Sequence, residues 1–213
     1  MNFKPSNLKP DNYRKSDRKK TQIYLHHTAG PSSKSALDWW NMDGKAVSTM
    51  FILERDGTII KNFDFDSWSH HLNIGTRANK INPIYKKNSK IIEEISVGIE
   101  LVSWGGLTEK NGKFYTWNNS IVKPEDVTKL NYRGYKAFHK YPDAQIEGLK
   151  TLLVYLLDEL NLDIKEDYSD IFDINERALN LEPGLYSHSS VRADKSDIFF
   201  QDSMLKMLNS LHG

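Results

Sequence analysis

Apolar positions along the chain follow two spacings. Over Gln22–His27, Ile23 and Leu25 alternate with Tyr24 and His26, the period of a strand with one buried face. The run stops at Thr28-Ala29-Gly30-Pro31. Residues 35–42 predict a short helix, with Leu37, Trp39 and Trp40 supplying apolar surface to the core. Two β-rich runs, 48–53 and 58–63, flank Arg55-Asp56-Gly57 and predict a hairpin. A further strand is predicted over 95–102. Cβ direction alternates along a strand, so Ser96, Gly98 and Glu100 share one face and Val97, Ile99 and Leu101 the other. Pro142-Asp143 opens the clearest helix, with Ile146, Leu149, Leu153, Leu156, Leu157 and Leu160 at helical spacing. A shorter helix is predicted over 171–179 and a last one over 199–211.

Three segments lack such a period. Residues 1–20 form a basic arm, with Lys4, Lys9, Arg14, Lys15, Arg18, Lys19 and Lys20 among Pro, Asn and Ser. It reads as a solvated segment draped over the domain, with binding of an anionic polymer as the alternative. Residues 73–94 carry Arg77, Lys80, Lys86, Lys87 and Lys90 and read as a long loop. Residues 104–141 are aromatic and irregular, an elaboration on the core of a domain spanning 21–213. Strands alternating with helices predict an α/β single domain, a central mixed sheet flanked by helices.

Composition narrows the classes. Aromatic residues (5 Trp, 10 Tyr and 9 Phe among 213) argue against disorder. Lys plus Arg is 29 and Asp plus Glu 28, so no global attraction to nucleic acid or to an anionic membrane is expected. Cysteine is absent, which excludes disulfides, a thiol nucleophile and thiolate metal ligands. No apolar run approaches the roughly 18 residues of a membrane span, so no stable membrane insertion is expected. The first residues lack the apolar region of a signal peptide. Synthesis in the cytoplasm is expected, with delivery by another factor if the protein acts outside.

The seven histidines are unevenly placed. His26-His27 and His70-His71 form pairs, and His188 lies in a run ending Lys195-Ser196-Asp197. A catalytic zinc takes about three protein ligands and an open position. Without cysteine these must be His with Asp or Glu, and His26, His188 and Asp197 would supply such a set. Their spacing matches no compact local zinc motif, so structural histidines are the alternative on spacing alone.

The ordered motifs carry more. Tyr24-Leu25-His26-His27-Thr28-Ala29-Gly30 resembles the opening motif of the zinc-dependent N-acetylmuramoyl-L-alanine amidases of type 2, relatives of the peptidoglycan recognition proteins. In chain order, residues 47–57 are similar to the family's second strand and turn. Trp68-Ser69-His70-His71-Leu72 is similar to its Trp-His segment, Ser96-Val97-Gly98-Ile99-Glu100-Leu101 to its Ser-Ile-Gly-Ile-Glu strand, and His188 through Asp197 to its closing His…Lys-x-Asp motif. The match covers about residues 21–200.

The resemblance implies one Zn²⁺ held by His26, His188 and Asp197, with Glu100 as general base and Lys195 stabilising an oxyanion. It also implies substrate contacts at His71, Thr49 and Trp68, and a His27 that supports a ligand from behind or packs in the core. The implied activity is cleavage of the amide between N-acetylmuramic acid and L-alanine in peptidoglycan by a monomer. An endolysin-like role on intact wall, with release by a factor such as a holin, is the first reading. A cytosolic amidase recycling soluble muropeptides and a non-catalytic peptidoglycan receptor are the alternatives. Relatives that only bind usually lack a zinc ligand, and this chain retains all three. It departs from the pattern in three places. Thr49 stands where some relatives have a catalytic Tyr. The His188–Lys195 interval is one residue shorter than in the recycling amidases. Asp197 is followed by Ile198 and not Pro.

Overall fold

The computed structural model describes residues 1–42, 46–163 and 167–211. In chain order its strands are β1 (Lys4–Pro5), β2 (Arg14–Lys15), β3 (Gln22–His27), β4 (Phe51–Leu53), β5 (Ile59–Lys61), β6 (Ser67–Trp68), β7 (Ser96–Leu101), β8 (Gly106–Lys110), β9 (Lys113–Tyr115), β10 (Ile121–Val122), β11 (Val127–Tyr132), β12 (Tyr135–His139) and β13 (Gly184–Ser187). The α-helices are α1 (Ser33–Trp40), α2 (Pro83–Lys86), α3 (Ser89–Ile95), α4 (Asp143–Leu160), α5 (Glu176–Leu179) and α6 (Asp202–Asn209).

The main sheet has six strands in the order β1-β5-β4-β7-β3-β13. Neighbours β4, β7, β3 and β13 run parallel, and β5 is antiparallel to β4 through the predicted Asp-Gly hairpin. This is the single α/β domain with a mixed sheet that the alternation of elements predicts. Parallel strands in such folds are covered on both faces. Accordingly Ile23 and Leu25 pack into the main core, while Tyr24 on the other face is equally buried, in a second cluster with Leu72, Ile92 and Tyr186.

Helix α4 covers the main core. Ile146, Leu149, Leu152, Leu153, Leu156, Leu157 and Leu160 line its buried side, and Asn161 ends it in the left-handed conformation (φ 51°). The hairpin turn docks directly on this helix. A Cβ on Gly148 would stand 2.8 Å from the Gly57 carbonyl oxygen, so the contact needs a glycine on the helix. Gln145 Nε2 donates to Leu53 O (2.9 Å) and Val102 O (3.1 Å), fixing α4 to the carboxyl ends of β4 and β7.

The first twenty residues join the fold at several points. β1 pairs with β5, β2 pairs with β6, and Phe3 packs on Phe51 at 5.1 Å between ring centroids. Lys20 is buried and donates to Glu94 O at 2.6 Å.

Four expectations change. Residues 73–94 are not one long loop, because they hold α2 and most of α3, the first capped by Asn82 Oδ1 accepting from Ile84 N. Residues 104–141 are regular: they form a five-stranded antiparallel sheet, β10-β9-β8-β12-β11, over a small core of Leu107, Phe114, Val122 and Ala137. The helix over 171–179 is split into a 3₁₀ turn (Ser169–Phe172) and α5, where the Asn175 side chain caps the second piece. The Trp39-Trp40 pair also divides, since Trp40 is buried and Trp39 is 48% exposed.

Candidate metal centre

Ligands in parallel α/β sheets sit beyond the carboxyl ends of the strands, and the candidate residues gather there. His26 lies near the end of β3 and Glu100 beside it in register on β7. His188 follows β13 directly, on a 3₁₀ turn whose Ser187 and Ser190 cap each other. Ser190 Oγ donates to Ile171 O at 2.9 Å, and Ser187 Oγ bonds the same carbonyl. The chain then returns to Asp197, whose carbonyl accepts from Ser189 N and Ser189 Oγ, both at 3.1 Å. The Asp197–Ile198 peptide bond is cis.

Three side-chain atoms converge. His26 Nδ1 and His188 Nδ1 are 3.1 Å apart, and Asp197 Oδ2 lies 3.3 Å from the first and 2.9 Å from the second. Their protonation follows from the outer hydrogen bonds. His188 Nε2 faces Leu72 O at 3.0 Å, and a carbonyl only accepts, so Nε2 carries the proton and Nδ1 the lone pair. His26 Nε2 faces His71 Nδ1 (2.9 Å), His71 Nε2 faces Ser96 Oγ (2.7 Å), and Ser96 Oγ donates to Glu93 O (3.1 Å). This chain ends on a carbonyl, so every proton in it points away from His26 and leaves His26 Nδ1 with a lone pair.

Electrostatics hold these states. Burial lowers the His26 pKa to about 4, with the neighbouring Asp197 acting in the opposite sense, so the ring is neutral at pH 7. Burial alone would raise the Asp197 carboxyl, but His188 and His26 outweigh it and keep it well below the usual carboxylate range. With these tautomers two imidazole lone pairs and a carboxyl oxygen of Asp197 face one another. A bound cation would complete this arrangement. The three separations are close to the edge of about 3.3 Å that a tetrahedral centre with ~2.0–2.1 Å bonds requires. Among the described residues this trio is the group of His, Asp and Glu side chains able to hold a metal ion.

Glu100 stands beside it with its Oε2 shut off from solvent and without a hydrogen-bond partner. Burial, with Asp197 nearby, pushes its carboxyl up to about 8, and Lys195 acts in the opposite sense. Lys195 is half-buried on the turn between the two ligands of the closing segment. The structure thus brings together five of the candidates: His26, His188, Asp197, Glu100 and Lys195.

The other candidates are placed differently. His71 has both ring nitrogens engaged and its side chain only 5% exposed. Thr49 is buried, with Oγ1 donating to Phe51 O at 3.0 Å. Trp68 is buried in the β2–β6 ladder, its ring against His70 and under the Arg14 guanidinium. His27 packs on Gly105, where a Cβ would meet its ring at 2.3 Å. Glu93, Ser96 and Arg192 were not singled out by sequence. Only Ser96 carried a signal, the alternation that puts it on the Gly98–Glu100 face.

The fold and site together are a mixed α/β sheet that carries a His-His-Asp cluster, able to hold a metal ion, and a glutamate beside it at its strand ends. The family model for N-acetylmuramoyl-L-alanine amidase (amidase type 2) matches residues 16–198, and the chain belongs to that family. No curated protein matches the chain. Its fold is similar to solved structures at low identity. The N-acetylmuramoyl-L-alanine amidase LysC from Clostridium intestinale URNW has 14% identity and a TM-score of 0.51, over 90% of this chain and 85% of that one. A mutant endolysin from Bacillus subtilis has 12% identity and a TM-score of 0.55, over 99% of each chain. The catalytic domain of XlyA has 11% identity and a TM-score of 0.54, over the whole of both. Among the described residues no helix is long and apolar enough to cross a membrane.

Proposed function

We propose that this chain hydrolyses the amide bond between N-acetylmuramic acid and L-alanine in peptidoglycan, with one Zn²⁺ on His26, His188 and Asp197. The observation that carries the reading is the convergence of three lone-pair donors beside the unpartnered Glu100 carboxyl. When bound, zinc supplies Lewis acidity, polarising the scissile carbonyl and lowering the pKa of a water towards about 7.

The chain's own groups do the rest. Glu100 accepts a proton from the water that attacks the carbonyl carbon, and the burial that raises its carboxyl above the ordinary range strengthens it as a base. As the carbon–nitrogen bond breaks, Glu100 returns that proton to the L-alanine nitrogen, leaving a lactyl carboxylate and a free amine. Lys195 places positive charge where the carbonyl oxygen gathers negative charge. The neutral His26 and His188 rings and the ionised Asp197 are the forms that ligate.

A lytic, endolysin-like use on intact wall is favoured over recycling of soluble muropeptides by the insertion. Trp117 is 70% exposed, yet its Nε1 donates to Ala29 O at 2.7 Å, on the turn that follows the His26 strand, and its ring meets Trp104 at 6.2 Å. An exposed indole held in place beside the site offers a flat face to a sugar ring of a polymer. The test is release of L-alanine amino termini from intact peptidoglycan and from soluble muropeptides, with and without a chelator. Chelator-sensitive release from intact wall supports the whole reading. Release only from soluble fragments replaces lysis with recycling. No release from either, with zinc bound, leaves the receptor.

A further inference from the structure

Both candidate ligand histidines lean on the same two residues. His26 Nε2 meets His71 Nδ1 at 2.9 Å, and His188 Nε2 meets Leu72 O at 3.0 Å. Residues 71 and 72 thus form one template that receives both outer nitrogens and turns both Nδ1 atoms towards Asp197.

What holds this template is Glu93. Its carboxylate is buried and accepts three consecutive backbone N–H groups: His71 N (2.9 Å), Leu72 N (3.2 Å) and Asn73 N (2.8 Å). Its backbone carbonyl also accepts from Ser96 Oγ, which receives the His71 Nε2 proton. Glu93 therefore anchors His71 from two sides, through the backbone by its carboxylate and through the ring by way of Ser96. Arg192 reinforces the other arm, donating to Leu72 O at 3.1 Å and Asn73 O at 2.9 Å. The sheet leaves room for the ring because residue 98 is glycine. A Cβ there would lie 3.0 Å from His71 Nδ1 and 2.9 Å from Thr49 Cγ2.

We infer that Glu93, acting through the His71–Leu72 template, is the positioning residue that sets the tautomer and aim of both His26 and His188. His71 then orients a ligand and does not line the cleft, since neither ring nitrogen is free for substrate. Glu93 touches neither the three converging atoms nor any group at which substrate would react. Outer partners of ligating histidines typically change metal affinity about 10–100-fold when removed. Here one carboxylate serves two ligands, so its removal loosens both.

The inference rests on the metal reading of the site, and its test separates the two. Wild type, Glu93→Gln, Glu93→Ala, His71→Phe and His71→Asn are compared as the full chain. Zinc affinity is measured by competition with a chromophoric chelator. Imidazole tautomers of His26 and His188 in the metal-free protein are read from ¹⁵N shifts. Wild type is expected to bind zinc and to show the Nε2–H form for both rings. Glu93→Ala and His71→Phe are expected to bind about 10–100-fold more weakly and to show mixed tautomers, of His26 and His188 together in the first and of His26 alone in the second. His71→Asn keeps an acceptor near the Nδ1 position and is expected to recover most of the affinity. Glu93→Gln keeps the side-chain volume, so a loss of affinity in a variant with wild-type melting temperature separates positioning from folding. Unchanged affinity and tautomers in folded Glu93→Gln and Glu93→Ala overturn the inference. A wild-type protein that binds no zinc but shows both Nε2–H tautomers refutes the metal reading and leaves the template standing.

Discussion

His26 and Glu100 are direct register partners on the parallel strands β3 and β7, so a candidate ligand and a carboxyl whose Oε2 has no partner lie side by side on one sheet face. The pair couples stability to chemistry. Burial raises the Glu100 pKa from 4.5 to about 8, so between these values the folded protein holds a proton that the unfolded chain releases. The metal-free protein accordingly loses stability as pH rises through that window. Glu100→Gln removes the buried charge. It is expected to keep zinc, to lose turnover, and to stabilise the metal-free protein at pH 8 by about 1–3 kcal/mol. Denaturation curves with metal analysis check this, and a Glu100→Gln protein with full turnover removes Glu100 from the mechanism.

Removing one ligand disperses the set. His188→Ala leaves His26 Nδ1 and Asp197 Oδ2 alone at 3.3 Å. Zinc content after dialysis should fall to background and activity with it. Elemental analysis showing one zinc per His188→Ala chain would place the metal elsewhere.

The role proposed for Lys195 is to act on charge that develops only during reaction. Lys195→Met is expected to lower kcat by about 10²–10³-fold, as for loss of one oxyanion partner, with zinc content and KM little changed. A rise in KM at constant kcat would assign Lys195 to substrate binding instead.

A pH effect on stability is expected at the root of the insertion. Burial, with the Arg55 charge beside it, lowers the His139 pKa from 6.5 to about 4. Its Nδ1 accepts from Trp104 N at 3.1 Å and faces Arg55 Nη1 at 3.3 Å. The neutral ring's contribution is therefore present above pH 6.5 and is lost as pH falls through 4, by at most about 3 kcal/mol. His139→Asn keeps an acceptor but does not titrate, so its unfolding free energy should fall less over this window. Equal slopes in the two proteins would exclude His139 as the source.

If the lytic reading holds, Trp117 distinguishes polymer from fragment. Trp117→Ala is expected to weaken binding to insoluble peptidoglycan and raise KM on intact wall several-fold, with turnover of soluble muropeptides unchanged. Parallel losses on both substrates would instead point to a role in shaping the Ala29 turn.

Much of the fold and the candidate site was legible from local pattern. The β3 and β7 alternations, the Asp-Gly hairpin and the leucine spacing of α4 depend on neighbouring residues, and all appear. His26, His188, Asp197, Glu100 and Lys195 were legible as ordered motifs, and the fold brings them together across 162 residues of separation between the two histidines. What escaped was set by tertiary contacts. The small sheet within 104–141 is built from short strands such as Lys113–Tyr115 and Ile121–Val122, too short to show a period. Helix α3 spans only Ser89–Ile95, too short to show a helical period, and its buried Glu93 reads as a surface charge until the backbone of residues 71–73 is seen around it. The engagement of His71 with His26 and Ser96 likewise depends on space above Gly98, which only the packed sheet shows.

The most direct test of the central claim is digestion of intact peptidoglycan in ¹⁸O-labelled water, followed by mass spectrometry of the products. The account predicts label in the lactyl carboxylate of N-acetylmuramic acid, matched by an unlabelled peptide with a free L-alanine amine. Label at a sugar anomeric carbon or at a carboxyl within the peptide would contradict it.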